Sequence, residues 1–280
     1  AGGCHFLAKT PVEYHEKSGT KITVTLKGLK GGHSGVEIHK GRVNANIFAG
    51  RFLNRFREDN GVHLISINGG DKSNAITNLC RIELLVENDG LFVEEAKAYL
   101  EIIKNEISSR ENSFCYDIDV FHTETALVLS DEAKKQISFA LVSSPQGVMD
   151  MSAEIEGLVE TSMNLGILRT NAESVYFHYS FRSNKKTAID FLQDKMTAVF
   201  SIIPCEIKVS GGYPSWEYKA NSTLRELYCE CYCEHYGKAP KIEAIHAGLE
   251  CGVFDSKIEN LDCISVGPNM FDVHTFNERL

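Results

Sequence analysis

The chain has a single tryptophan, six prolines and no apolar run approaching the roughly 18 residues that span a bilayer. Positive charge is also short: 29 Lys and Arg stand against 38 Asp and Glu, a formal net charge of −9. That deficit argues against broad contact with a nucleic-acid backbone or an anionic membrane surface. Glycine and proline are scattered rather than periodic, and hydrophobic residues make up 43% of the chain. Collagen-like, low-complexity and disordered classes are therefore excluded. The chain opens on Ala1-Gly2-Gly3-Cys4, without methionine or a charged-then-apolar leader, and stops at Leu280 directly after a dense polar motif. The expectation is a processed chain or a piece of a longer one.

Nine cysteines are present, at irregular spacings. An odd count does not suit a disulfide framework, so reduced thiols and a cytoplasmic location are expected. Cys229, Cys231 and Cys233 resemble a metal ligand run, but on a helix 231 points away from the other two. The length, 280 residues, allows one or two domains.

Residues 20–27 alternate as a strand does, and a glycine-rich stretch follows at 28–35. Residues 42–57 read as a helix with Val43, Ile47, Phe48 and Phe52 on one side. Strands are expected at 62–68 and 79–87, and a helix at 91–110. The order then recurs: a strand at 116–122, a helix capped by Ser130, a hairpin of 160–168 with 174–182, a helix at 187–203 and a strand at 205–209. A β-α-β-β-α-(β) pattern thus appears twice, roughly in 20–122 and 115–210. Antiparallel sheet covered on one face by helices is the expected architecture. Beyond residue 211 the reading is a helix ending at Gly237, a short strand at 241–245, another helix at 248–254 and a strand at 263–266. That is the β-α-β order of a partial parallel sheet.

Five stretches carry chemistry-bearing residues. In 28–35 (GLKGGHSG), glycines leave the His33 imidazole unshielded, able to donate to developing negative charge; a plain glycine turn with a solvated histidine fits equally. Asn74, in NGGDKSNAI, offers donor and acceptor between loop and strand, or simply caps a turn. Arg182 ends a strand, where its fork suits a carboxylate or solvent. His246 opens HAGLECG, small residues at a strand–helix junction, and also fits a core position. His274 stands beside Asp272 in a strand-end loop, a weak metal signal by itself.

Taken together in order, GLKGGHSGVEIHKG, the NGG…NAI segment, VETSMNLG, GGYPSW, HAGLECG and VGP…DVHT…NER resemble the aminoacyl-histidine dipeptidases of the M20 metallopeptidases. The resemblance covers essentially the whole chain. It implies an α/β protein in two domains: an α+β lid, residues 16–210, inserted in a partial zinc-peptidase domain formed by 1–15 and 211–280. It also implies a dinuclear zinc centre that lowers the pKa of a bridging water and polarises the scissile carbonyl. By the same resemblance, His33 stabilises the tetrahedral intermediate and His274 ligates zinc. Asn74 and Arg182 bind substrate, with Gly248 and Glu250 in the substrate-side loop. The implied substrate is a dipeptide of Xaa-His type; lids of this kind also make homodimer contacts.

The sequence departs from that family in two respects. The family's other metal ligands and its general-base Glu lie upstream of the Ala-Gly-Gly at which this chain begins, and Phe276 stands where a proline is usual. The chain alone is therefore expected to be inactive. The contrasting expectation is a non-enzymatic lid or interaction domain. A third, a Cys–His hydrolase using Cys4 or Cys251, rests only on the presence of both residue types.

Overall fold

The computed structural model describes residues 1–269 and 279–280. Its elements run β1 (Gly2–Pro11), β2 (Tyr14–Lys27), β3 (Gly32–His33), α1 (Ala45–Arg55), β4 (Val62–Gly69), β5 (Ala75–Ile76), β6 (Cys80–Val86), α2 (Asp89–Ile107) and β7 (Cys115–Leu129). They continue with α3 (Asp131–Ser143), β8 (Gly147–Met151), β9 (Val159–Thr170), β10 (Ser174–Ser183), α4 (Lys186–Ser201), β11 (Glu206–Tyr213), α5 (Thr223–Tyr236) and α6 (Glu250–Asp255).

The large sheet is antiparallel, in the order β11-β1-β10-β9-β4-β6-β2-β7, with β8 added beside β9. It divides into two units of the same plan. β2, β4, β6 and β7 lie as β4-β6-β2-β7, with α1 and α2 as their crossovers. β1, β9, β10 and β11 repeat that arrangement as β9-β10-β1-β11, with α3 and α4. Each is a split β-α-β-β-α-β unit. The first unit is inserted in the second, between β1 and α3. The sequence pattern had assigned the opening strand of the second unit to 116–122. That segment closes the first unit as β7, and the opening strand is β1, paired with both β10 and β11.

Helix starts follow local chemistry. Asn44, Asn88, Ser130 and Ser222 accept the backbone N–H of Asn46, Leu91, Ala133 and Arg225. Gly237 ends α5 in the left-handed region. The buried stripes sit three or four residues apart: Ala45, Ala49, Phe52 and Leu53 on α1; Phe92, Ala96, Leu100, Ile103 and Ile107 on α2; Ile189, Leu192, Met196 and Phe200 on α4. Ile47 and Phe48, expected on the inner side of α1, are only partly buried at its margin. Apart from Ile103, these stripes share one core with Phe6, Phe177, Tyr179 and Phe181 of the sheet. Fully burying each such ring contributes about 1.5–3 kcal/mol. Where α1 meets α3, Gly50 is required: a Cβ there would overlap the Leu141 side chain, whose Cδ1 would be 3.1 Å away.

Alternation leaves His5, His178, Ser180 and Arg182 on the opposite face from Phe6, Phe177, Tyr179 and Phe181. Beyond β11 the strands expected at 241–245 and 263–266 are not formed. Ile242, Ile245 and Val266 are exposed, and α5 buries no residue, so no neighbouring strand among the described residues pairs them.

Candidate functional site

His33 is held from both sides of its own loop. Gly32 has a φ of 132°, and a Cβ there would collide with the Arg42 guanidinium and the Glu37 carboxylate. Glu37 accepts the His33 backbone N–H at 2.9 Å, the Lys40 ammonium at 2.9 Å and Arg42 at 3.0 Å. The Lys40 bond, then the His33 N–H and the Arg42 charge, hold the Glu37 carboxyl at about 2. The imidazole Nδ1 accepts from the backbone N–H of Gly35 at 3.0 Å and Val36 at 3.2 Å. A nitrogen that accepts such bonds carries no proton, so the neutral ring keeps its hydrogen on Nε2.

The ladder of β3 with β5 pairs His33 with Ala75, and Ser34 N–H donates to the Asn74 carbonyl at 2.9 Å. His33 and Asn74, 41 positions apart by number, are thus fixed side by side. The Asn74 loop is pinned to β9 in turn. Asn164 Nδ2 donates to the carbonyls of Ala75 at 2.8 Å and Ser73 at 3.4 Å. Its Oδ1 accepts from Asn44 at 3.1 Å and Gln146 at 3.0 Å. Gly166 permits this approach, since a Cβ on it would lie 2.5 Å from the Ser73 carbonyl oxygen.

Asn74 and Arg182 line one cavity of about 470 Å³, together with His5, Lys72, Ser180 and Tyr213. Arg182 Nη1 donates to Tyr213 Oη at 2.9 Å, while its buried Nε has no partner among the described residues. His5 and His178 meet edge to face, ring centroids 4.9 Å apart. Burial lowers both: His178 goes to about 4, with the His5 charge adding to the effect, and His5 is lowered further by Arg182. His33 does not itself line this cavity; it is joined to it through Asn74.

His246 is buried, its Nε2 2.7 Å from Ser162 Oγ, and Ser162 is the cross-strand neighbour of Arg182. Burial, then the positive charges of the Ala1 amino group and Arg182, push His246 down to about 3. The His246 carbonyl oxygen would lie 2.8 Å from a Cβ on Gly35, so this segment touches the His33 loop. Gly248 rests against the Tyr213 ring, where a Cβ would be 2.7 Å from Cε2. Glu250 begins α6 and is exposed. His274 lies outside the described residues.

Cys4, considered as a nucleophile, is buried and pushed up to about 11, chiefly by that burial. This removes the thiolate such chemistry needs. The sequence reading missed His5, Tyr213, Ser162 and Asn164 as site components. Tyr213 and Asn164 did lie in the quoted stretches GGYPSW and VETSMNLG, whereas His5 carried no local signal. An amide and a guanidinium lining a small cavity, with a ring donor joined to it through the Asn74 loop, suit a compact polar ligand with an anionic end.

Residues 24–112 match the peptidase dimerisation domain of the M20 family. That match falls within the inserted unit. The chain is 34% identical to the cytosol non-specific dipeptidase of Escherichia coli (strain K12) over 261 residues, which is 92% of this chain and 53% of that protein. It superposes on the crystal structure of an aminoacylhistidine dipeptidase from Vibrio alginolyticus with a TM-score of 0.91 at 33% identity, covering 99% of this chain and 57% of that one. Both relatives are dipeptidases, and the likeness to them extends well beyond residues 24–112. The chain spans about half the length of these relatives.

Proposed function

We propose that this chain contributes substrate binding and oxyanion stabilisation to the hydrolysis of Xaa-His dipeptides by a cytoplasmic, dinuclear zinc peptidase. The reading is supported by one observation above the rest. His33 is locked as an Nε2–H donor and laddered to the Asn74 loop, which shares a cavity with Arg182. In this reading Arg182 holds the terminal carboxylate of the dipeptide, its fork oriented by Tyr213. Asn74 bonds the substrate's amide groups. His33 donates from Nε2 to the oxygen that becomes negative as the carbonyl is attacked. Gly248 lets the substrate approach the Tyr213 side of the cavity, and Glu250, two residues on, is assigned to the substrate-side loop by the resemblance alone.

Among the described residues no group of three or more His, Cys, Asp or Glu side chains is placed to hold a metal ion. The zinc role of His274 rests on the resemblance. The 280-residue chain by itself is read as inactive, a reading supported by the greater length of both relatives. No helix of the described residues is long and apolar enough to cross a membrane.

The test is His33→Ala in the longest reading frame that contains this chain. Loss of one oxyanion donor lowers kcat by about 10²–10³. Metal content, by elemental analysis, is expected to stay unchanged. Loss of metal with the imidazole would overturn the assigned role. A second reading, favoured by the match of residues 24–112 to a dimerisation domain, is a non-enzymatic contact between two copies. Sedimentation as a dimer by a chain that binds no dipeptide would favour it.

A further inference from the structure

All nine cysteines are free thiols. Two of them, twelve positions apart, have been brought together at the edge of the candidate site. Cys251 lies in α6, where its thiol donates a weak bond to the Ile264 carbonyl at 3.8 Å. Cys263 immediately precedes Ile264, so that bond seats the Cys251 thiol against the backbone that carries Cys263, and the charge on Cys251 acts on the Cys263 thiol. Both are half-buried, so neither is sealed from a small reagent. Their carriers are braced as well: the Lys219 ammonium bonds Asp255, the last residue of α6, at 3.1 Å and also the carbonyl of Leu261. Lys219 thus ties the end of α6 to the segment that presents Cys263.

We propose that Cys251 and Cys263 are a reversible disulfide pair, a redox modification site that fastens α6 to the 261–264 segment when the chain meets a small aliphatic disulfide. The steps balance as thiol–disulfide exchange. The Cys251 thiolate attacks one sulfur of the reagent, forming a mixed disulfide and releasing one small thiol. The Cys263 thiolate then attacks Cys251 Sγ, closing the intramolecular bond and releasing the second small thiol. Two protein S–H groups are oxidised, the reagent's S–S bond is reduced to two thiols, and both protons leave with them.

The order of attack follows from the surroundings. Burial first, then the neighbouring Cys251 and Asp255, push the Cys263 thiol up to about 11, so its thiolate is scarce and it is the slower group to start. Once Cys251 is capped it carries no charge, and that repulsion disappears. The closed bond would hold the segment that packs on Tyr213 and on the His33 loop, since Gly248 and Gly252 lie against Tyr213 and Pro214.

The test exposes the whole chain to oxidised glutathione at mildly alkaline pH, quenches it with a maleimide and maps the peptides by mass spectrometry. The expected result is a Cys251–Cys263 cross-linked peptide, loss of both maleimide adducts and their return after reduction. Cys229, Cys231 and Cys233 on α5 report the reactivity of unpaired thiols in the same sample. Cys263→Ser should leave Cys251 as the mixed disulfide, and Cys251→Ser should leave Cys263 alkylatable. Full alkylation of Cys251 and Cys263 when the α5 thiols have already reacted would overturn the proposal. So would Cys251 recovered in a link to any other cysteine. The wild-type map decides by itself if a serine variant fails to fold.

Discussion

Acid should loosen this protein through His246. Its ordinary value in an unfolded chain is about 6.5, and in the fold it lies at about 3, chiefly because the ring is buried against Ser162. A group whose folded value is depressed favours the fold above its unfolded value and withdraws that support as pH falls. Here the window runs from about 6.5 down to about 3. Each pH unit inside it costs about 1.4 kcal/mol, so moving from pH 7.5 to 4.5 should cost roughly 2.7 kcal/mol from this ring alone. The assay is urea unfolding at both pH values for the wild type and for His246→Gln, which removes the titration. The variant should lose that much less between the two conditions, although it starts less stable. His178, lowered to about 4, contributes in the same direction and is common to both proteins, so it cancels in the comparison. An NMR titration placing the His246 ring near 6.5, or identical pH slopes in both proteins, would refute the argument.

Gly50→Ala should destabilise by about 1–3 kcal/mol in urea unfolding, because the added methyl overlaps Leu141 across the α1–α3 contact; an unchanged midpoint would mean the helices separate freely there. Asn164→Leu leaves the Asn44 and Gln146 amides and the Ala75 carbonyl without that partner. At about 1–3 kcal/mol for each orphaned group, it should cost several kcal/mol and detach the Asn74 loop, seen as faster amide exchange at 73–75. Thr170→Val should cost roughly 1–3 kcal/mol, since Thr170 Oγ1 accepts Ile67 N–H at 2.9 Å and donates to the Ile67 carbonyl at 3.1 Å. Unchanged stability would show that β4 and β9 are held by other contacts.

Periodicity made most of the helices and the β9–β10 hairpin legible, because their signals are local. Ser130 and Gly237 mark helix ends by their own chemistry, wherever the helix sits. β1 was not legible, although Cys4, Phe6 and Ala8 alternate with His5, Leu7 and Lys9. Its partners β10 and β11 come more than 160 residues later, and nothing local announces that pairing. The strands expected at 241–245 and 263–266 fail for the converse reason: an apolar alternation needs a neighbour to become a strand. At the candidate site, residue types and glycine positions singled out His33, Asn74 and Arg182 without deciding between a functional and a plain structural reading, and their proposed roles come from the resemblance. The His33 tautomer was not legible, since it depends on two backbone N–H groups aimed at Nδ1.

The insertion of one unit in the other explains where the site lies. His33 and Asn74 belong to the inserted unit, whereas Ser162, Arg182 and Tyr213 belong to the host. The two units join within the sheet where β4 meets β9 through a single ladder pair, Gly69 with Leu168. Side chains complete that junction: Thr170 bonds the backbone of Ile67, Asn68 Oδ1 accepts Thr170 N–H at 3.0 Å, and Arg169 donates to the Gly70 carbonyl at 2.8 Å. A continuous ladder would have laid the 70–74 loop along the sheet edge. The short junction frees that loop to fold back over β9, where Gly166 and Asn164 receive it. The same residues that seal the two units therefore set the position of Asn74 relative to Arg182. Fold stability and ligand geometry should accordingly change together in variants of this seam, and separately in variants of α1 or α3.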